Sequence, residues 1–346
     1  MTEKESPFVT VIIPCRNEEN FIERTVSSIL ASDYPKDKME IFVVDGMSDD
    51  RTRDILQDMG RKDQRVKLLD NIGRVVPHAL NIGIKASNAD LFTIVGGHAE
   101  VPIDFIKNSV ETLFSNPDAW IVGGYIENVA DGYVANAIAG AMRSPCGVGN
   151  AMFRLGDYEG WVETLAFGMH HRWVIDKIGY FDETLVRNQD DDFNARILQA
   201  GGKIWMSKSI RSKYYTRSSI KNLWRQYYQY GFWRIRTIQK HKKPASLRQL
   251  LPLLLVSSFL ALGSLSLIHP WLGYLFLLEA GGYTMGLLLG ACDVARKAGL
   301  QHALLAPIIF LILHFGYGFG MLWGIVRFII FKGKGLAKPS EFKLSR

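Results

Sequence analysis

The sequence predicts an α/β domain built on a mostly parallel sheet, followed by a helical membrane domain and a basic tail. Two observations carry this. Short apolar runs alternate with amphipathic helical stretches through the first hundred residues, and from about residue 250 the apolar residues gather into long runs. Strand–helix alternation implies right-handed crossovers between parallel strands. Runs of about 20 apolar residues are long enough to cross a bilayer. The boundaries expected are 1–240 for the α/β domain, with an interfacial segment at about 219–240, then 250–331 for transmembrane helices and 332–346 for the tail.

Phe8-Val9-Thr10-Val11-Ile12-Ile13-Pro14 reads as a buried parallel strand ended by proline. Arg16-Asn17-Glu18-Glu19 follows, then a helix through Phe21, Ile22, Val26, Ile29 and Leu30. Glu40–Val44 is a second strand, running into Asp45-Gly46-Met47-Ser48-Asp49-Asp50 and a helix through Ile55 and Leu56. Arg65–Leu69 is a third strand, Asn81–Ala86 a helix, and Leu91–Val95 a fourth strand. Ligands of such sheets bind beyond the carboxyl ends of the strands, where Arg16, Asp45 and His98 lie. Asp45-Gly46 alone also reads as an ordinary turn.

Arg187-Asn188-Gln189-Asp190-Asp191-Asp192 precedes apolar residues at helical spacing (Phe193, Ile197, Leu198, Ala200) and the stop signal Gly201-Gly202. The three aspartates therefore sit at or just inside a helix N-terminus, where the helix dipole favours negative charge. Capping explains one or two of them. Three adjacent carboxylates repel, so a cation, a bound substrate or full solvation must hold them together. A carboxylate near a hydroxyl can instead serve as a general base.

Three widely spaced cysteines (Cys15, Cys146, Cys292) argue against a disulfide framework or a zinc site, and fit a reducing compartment. The polar start Met1-Thr2-Glu3-Lys4-Glu5-Ser6 runs straight into a strand, so no signal peptide is expected. Charge is uneven: thirteen Lys and Arg, and no Asp or Glu, lie between Lys203 and Arg248. Beside apolar spans, such a block points to a membrane surface rather than to nucleic acid.

Leu250–Ile268, Trp271–Cys292 and Ala303–Phe331 are each long enough to span, with His269-Pro270 as a short turn. The basic block puts the α/β domain on the cytoplasmic side of the cell membrane in a multi-pass protein. Three crossings would leave Lys332, Lys334, Lys338, Lys343 and Arg346 on the far side, against the same rule. The third run, interrupted by Gly316, Gly318, Gly320 and Gly324, is therefore a candidate to bend back as a hairpin. Glu279, mid-span, is either a polar interhelical contact or part of a headgroup path. The membrane helices also offer a surface for a homo-oligomer.

Several motifs carry a resemblance. Pro14-Cys15-Arg16-Asn17-Glu18-Glu19, Asp45-Gly46-x-Ser48-x-Asp50 and Gln189-Asp190-Asp191-Asp192 resemble family 2 glycosyltransferases of the GT-A fold, a Rossmann-like α/β catalytic domain. Gly147–Asn150, Val162–Gly168, Gly179–Glu183 and Leu185–Asp191 resemble the membrane-anchored transferases of succinoglycan-type exopolysaccharide synthesis. The resemblance covers about residues 8 to 240. It implies an inverting enzyme that moves a sugar from a nucleotide donor, UDP-linked, to a polyprenyl-diphosphate-linked saccharide acceptor at the membrane.

By that resemblance Pro14, Arg16, Glu18 and Asp45 line the nucleotide pocket. Asp45 would accept from the base and Arg16 would pair with a phosphate, while Asp50 is read as capping the next helix or holding the loop. Asp190 matches the second position of the family's E-D pair and is implied as catalytic base, with Gln189 and Asp191 supporting. Gln226-x-x-Gln229-Tyr230 resembles the Q-x-x-R-W motif that lies over the acceptor and diphosphate, and Arg225 or Arg234 could supply the missing charge. The same segment also reads as an interfacial helix.

One departure concerns the metal. The family's D-x-D motif holds a divalent cation against the donor diphosphate. Here Gly96 and His98 stand where its aspartates belong, with Glu100 nearby. A nitrogen ligand in place of an oxygen favours Mn²⁺ over Mg²⁺. His98 satisfied by backbone, with no metal, is the alternative. Two other classes stay open: a nucleotidyltransferase, and a non-catalytic subunit that binds nucleotide or polyprenyl lipid.

Overall fold

The computed structural model describes residues 6–149, 151–156, 158–215, 219–244 and 246–331. They form two compact units, one of residues up to 127 together with 156–215, the other of 128–155 together with the residues after 215.

The first unit begins with β1 (Val9–Cys15), α1 (Ile22–Leu30), β2 (Met39–Asp45), α2 (Thr52–Lys62), β3 (Val66–Asp70), α3 (Val76–Ala86) and β4 (Leu91–Ile94). β5 (Ala99–Glu100), α4 (Phe105–Ser115) and β6 (Ala119–Val129) follow. The chain then leaves for the second unit through α5 (Tyr133–Met142), α6 (Pro145–Val148) and α7 (Met152–Leu155). It returns with β7 (Gly160–Val162), β8 (Met169–His171), α8 (Arg172–Ile178), α9 (Gln189–Gln199) and β9 (Lys203–Tyr215).

β1 is buried nearly throughout because both of its faces are covered. Val9, Val11 and Ile13 pack with Ile22, Val26 and Ile29 of α1 and Phe105, Ile106 and Leu113 of α4. Ile12 faces the other way, onto Leu80 and Ile84 of α3, Val174 of α8 and Phe193 of α9. The result is a sheet between two helical layers, in the order β3-β2-β1-β4-β8-β6-β9-β5, with β7 beside β9. The β1–β2, β2–β3 and β1–β4 pairings are parallel, as the alternation predicts. The strands beyond β4 are an addition to that expectation, because β8 pairs antiparallel with β4 and β6, and β9 with β5 and β7. The first thirteen residues of the basic block are thus β9, a sheet strand, rather than a membrane-flanking segment. In register, Cys15 lies opposite Asp45, and Asp45 opposite Asp70, so three strands end at one level.

The second unit contains α10 (Ile220–His241), α11 (Leu251–Leu265), α12 (Pro270–Ala298), α13 (Leu300–Ala303) and α14 (Ala306–Gly324), which continues as a π-helical turn over Ile325–Ile330. Leu247–Leu265, Pro270–Ala298 and Ala306–Ile330 are long and apolar enough to cross a membrane. α5 packs among them: Ala137, Ile138 and Ala141 join Leu287 and Val294 of α12 and Ala306, Ile309 and Phe310 of α14. His314 fastens α6, accepting at Nδ1 from the Tyr283 hydroxyl (2.9 Å) and donating from Nε2 to the Cys146 carbonyl (2.7 Å). Glu279 proves to be an interhelical contact, accepting from the Ser258 hydroxyl.

Two expectations change here. The third apolar run does not bend back, and its glycines mark where α10 docks. An added Cβ at Gly316 would lie 3.5 Å from the Trp224 carbonyl, and one at Gly320 would overlap the Tyr228 carbonyl. The segment 219–240, grouped by sequence with the α/β domain, is one helix of the second unit. The tail 332–346 lies outside the described residues.

Candidate active site

The loops after β1 and β2 are stitched into one cradle. Asn17 donates from its backbone to the Ser48 hydroxyl (2.8 Å) and from its amide to Asp49 (2.6 Å), and the Asp49 backbone N–H donates back to the Asn17 side chain (3.0 Å). Asp50 accepts from the backbone of Thr52 (3.0 Å) and of Glu19 (3.2 Å), so of its two expected roles it holds the loop, one residue ahead of Arg51 at the N-cap. Arg16 stands half-buried beside Gly46, and its Nε is buried with no hydrogen-bond partner. An orphaned guanidinium donor is a costly group unless an anion meets it. Pro14 is half-buried at the same strand end.

Asp45 is 0 % exposed, and both its oxygens are engaged. Oδ2 accepts from Arg53 Nη1 (2.7 Å) and the Ser48 backbone (3.0 Å), and Oδ1 from the Ser48 hydroxyl. The Cys15 thiol lies 3.8 Å from Oδ1, and burial, aided by Asp45 and Glu18, pushes its pKa well up. Arg53 also grips Asp70 (2.7 Å), whose side chain is 59 % exposed, and these two carboxylates raise the arginine's pKa. A base-facing Asp45 would require Ser48 or Arg53 to release its bond. The carboxylate of this cluster that faces solvent is Asp70. Sequence reasoning missed Arg53, because an arginine in the first turn of a surface helix looks like any other.

Beyond β4, His98 is 16 % exposed at its side chain, and its Nδ1 lies 3.0 Å from Oε1 of buried Glu18. A carboxylate accepts, so Nδ1 donates, which sets the tautomer and the ring orientation. Glu100 is taken up elsewhere, by Arg24 (2.7 Å) and the Tyr215 hydroxyl (2.7 Å), so it does not join His98. Burial and the Glu100 contact push the Tyr215 phenol up to about 12. Among the described residues no three His, Cys, Asp or Glu side chains gather to cage a metal. Glu18 and His98 do present a carboxylate–histidine pair, the arrangement that orients a metal-ligating imidazole. This suits a cation that takes most of its oxygens from a bound diphosphate.

The acidic triplet is divided by its surroundings. Asp190, Asp191 and Asp192 lie in the first turn of α9, and Asn188 before them adopts a left-handed conformation (φ 61°). Asp192 is 0 % exposed and tied to Arg196 Nε (3.1 Å), whose other nitrogens hold the carbonyls of Ile178 and Tyr180. It is structural. Asp190 is exposed, while Gln189 and Asp191 are half-buried. Asn194 fixes the helix to the 160s loop, donating to the Thr164 hydroxyl (2.9 Å) and the Leu165 carbonyl (3.3 Å). The next aromatic of that loop, Phe167, abuts Gly96, where an added Cβ would lie 3.2 Å from its ring. One short loop therefore joins the acidic helix to the Gly96–His98 turn.

Gln226, Gln229, Tyr230 and Arg234 belong to the second unit, on α10. Gln226, Gln229 and Arg234 are buried; Gln226 donates to the Tyr230 hydroxyl (2.9 Å), and Arg234 Nε donates to the Tyr317 hydroxyl of α14 (2.9 Å).

Residues 10–145 match the family model described as Glycosyl transferase family 2. The chain is 33 % identical over 232 residues to a dolichyl N-acetyl-alpha-D-glucosaminyl phosphate 3-beta-D-2,3-diacetamido-2,3-dideoxy-beta-D-glucuronosyltransferase of Methanococcus voltae, covering 65 % of this chain and 72 % of that one. It is 29 % identical over 265 residues to the succinoglycan biosynthesis protein ExoA of Rhizobium meliloti, covering 76 % and 79 %. Among solved structures, the mannosyltransferase PcManGT from Pyrobaculum calidifontis, in complex with GDP-Man and Mn²⁺, superposes with a TM-score of 0.59 at 20 % identity, covering 92 % of this chain and 88 % of that one. At that identity the likeness is one of fold.

Proposed function

The chain belongs to glycosyltransferase family 2 and has the GT-A fold, and from that premise we propose an inverting enzyme that acts on a lipid-linked saccharide at the membrane. The donor is a nucleotide-diphosphate sugar, UDP-linked. The acceptor is a saccharide on a polyprenyl phosphate or diphosphate; the Methanococcus relative is named for a dolichyl-phosphate-linked sugar. The protein lies in the cell membrane with its catalytic unit on the cytoplasmic side, where the basic residues flank the apolar helices.

The observation that carries the reading is the split within the triplet: Asp192 is buried against Arg196, whereas Asp190, two residues earlier in the same turn, is exposed. In the proposed mechanism Asp190 removes the proton of the acceptor hydroxyl as its oxygen attacks the anomeric carbon. Attack comes from the face opposite the diphosphate, so the sugar inverts as the C–O bond to the leaving group breaks. Arg16 Nε donates to a phosphate oxygen. Asp45 holds Arg53 and Ser48 beneath the base, and Gln189 and Asp191 support the base residue. A divalent ion would be held by His98, with Glu18 orienting the ring, and would neutralise the departing diphosphate. A nitrogen ligand favours Mn²⁺ over Mg²⁺.

Membranes carrying the protein, incubated with a panel of radiolabelled nucleotide sugars, should pass label from one donor into the lipid extract. Label that appears only in water-soluble products, or equally with Asp190→Asn, would refute the reading.

A further inference from the structure

We propose that α10 and α14 lie together along the membrane surface and that the α11–α12 hairpin alone crosses the bilayer. The catalytic unit and the residues after Phe331 are then on the same side. This rests on the membrane localisation proposed above and on neither donor nor acceptor.

The first argument is the α10–α14 contact. On α14, Gly316 meets the Trp224 carbonyl, Gly320 the Tyr228 carbonyl and Gly324 the Phe232 carbonyl. In return Gly231 of α10 meets the Tyr317 carbonyl. Partners advance by four on both helices, so the two run parallel and in step, backbone against backbone. Gln239 continues the seam by donating to the Phe328 carbonyl (3.3 Å). Whatever depth α14 takes, α10 shares.

α10 cannot share the depth of a spanning helix. It carries Lys221, Arg225, Arg234, Arg236 and Lys240. With Ala306–Ile330 centred in the bilayer, the middle of that stretch falls at Gly318, level with Arg225 and Gln226. An arginine at the centre of a span is among the costliest residues to place there. Laid in the interface, the pair keeps its basic groups at the headgroups and turns Trp323, Ile329 and Ile330, all largely exposed, toward the acyl chains.

The hairpin behaves differently. No residue from Ser257 to Gly286 is buried, and the buried positions of the two helices (Val256, Leu287, Gly290, Val294) are all at its base. Protein buries 6 % and 11 % of the apolar stretches in Leu247–Leu265 and Pro270–Ala298, against 44 % in Ala306–Ile330. A helix sheathed by lipid should be bare, and one clothed by protein need not cross. Charge agrees. The turn 266–269 has no Lys or Arg, whereas the block before Leu250 and Arg296-Lys297 flank the base. With α14 not crossing, Lys332, Lys334, Lys338, Lys343 and Arg346 stay on the basic side as well, which removes the conflict that three crossings create.

The full chain with an epitope tag after Arg346, in sealed vesicles of each orientation, tests this without reference to transfer. The protease-accessible face that digests the catalytic unit should also remove the tag. A His269→Cys variant, with Cys146 and Cys292 replaced by alanine, should react with a membrane-impermeant maleimide only from the opposite face. A tag cut only from the face that labels His269→Cys means three crossings and overturns the proposal. Labelling of His269→Cys from the same face as the tag means the hairpin does not cross, and overturns it equally.

Discussion

Oε1 of Glu18 stands 3.0 Å from Nδ1 of His98, while Glu100, two residues further on, is drawn off by Arg24 and Tyr215. The glutamate of the first strand's loop, rather than the one nearest in sequence, is the histidine's partner. If His98 holds a cation, Glu18 acts through it. Glu18→Gln should then weaken Mn²⁺ binding in the presence of UDP by about 10–100-fold, read by titration calorimetry or by the spectrum of bound Mn²⁺. His98→Ala should abolish it. Unchanged Mn²⁺ affinity in both variants would take the metal away from this pair, leaving charge neutralisation to arginines.

Gly96 tests the same site from the other side. An aspartate there would offer the oxygen ligand that the family motif has and this chain lacks, but its Cβ meets the Phe167 ring at 3.2 Å. Gly96→Asp alone should therefore strain the loop and lower activity. Gly96→Asp with Phe167→Ala should recover a usable site and shift the metal preference from Mn²⁺ toward Mg²⁺. Identical Mn²⁺/Mg²⁺ activity ratios in the parent and the double variant would count against a metal bound at this turn.

The parallel half of the fold was legible because its signals are local: β1 to β4 are short apolar runs, each closed by a turn. The antiparallel strands were not. β8 is three residues long and β9 is studded with Lys and Arg, so neither shows a clean alternation of buried and exposed residues. Asp190 at a helix start was readable from the triplet and Gly201-Gly202. That Asp192 belongs to Arg196 was not readable, since an i,i+4 pair looks alike whether it is exposed or buried. The glycines of α14 suggested a bend because their partner, α10, is some 90 residues earlier and reads as polar.

The triplet gives a matched pair of tests. Asp190→Asn keeps shape but cannot take a proton at neutral pH, so transfer should fall by about 10²–10⁴-fold with UDP binding retained. Asp192→Asn should act on stability instead. It leaves the half-shielded Arg196 without its carboxylate, at a cost of about 1–3 kcal/mol, read as a lower midpoint in thermal unfolding of the detergent-solubilised protein. Loss of UDP binding in Asp190→Asn, or an unshifted midpoint in Asp192→Asn, would reverse these assignments.

A last prediction concerns acid. His170 lies in β8 between Phe92, stacked at 4.6 Å, and Phe193 of the acidic helix, edge-on at 5.7 Å. Burial lowers its pKa from 6.5 to about 4, so the folded protein keeps it neutral. The unfolded chain binds that proton near pH 6.5 and the folded one only near pH 4, so stability contributed by the neutral ring is complete above 6.5. It is lost as pH falls from there to about 4, with no further loss below. At 1.36 kcal/mol per unit, the change is about 3 kcal/mol. His170→Phe retains the stack and removes the proton site, so its melting temperature should fall less steeply between pH 6.5 and 4 than that of the parent. Parallel curves for the two proteins across that window would show that other groups set the acid sensitivity.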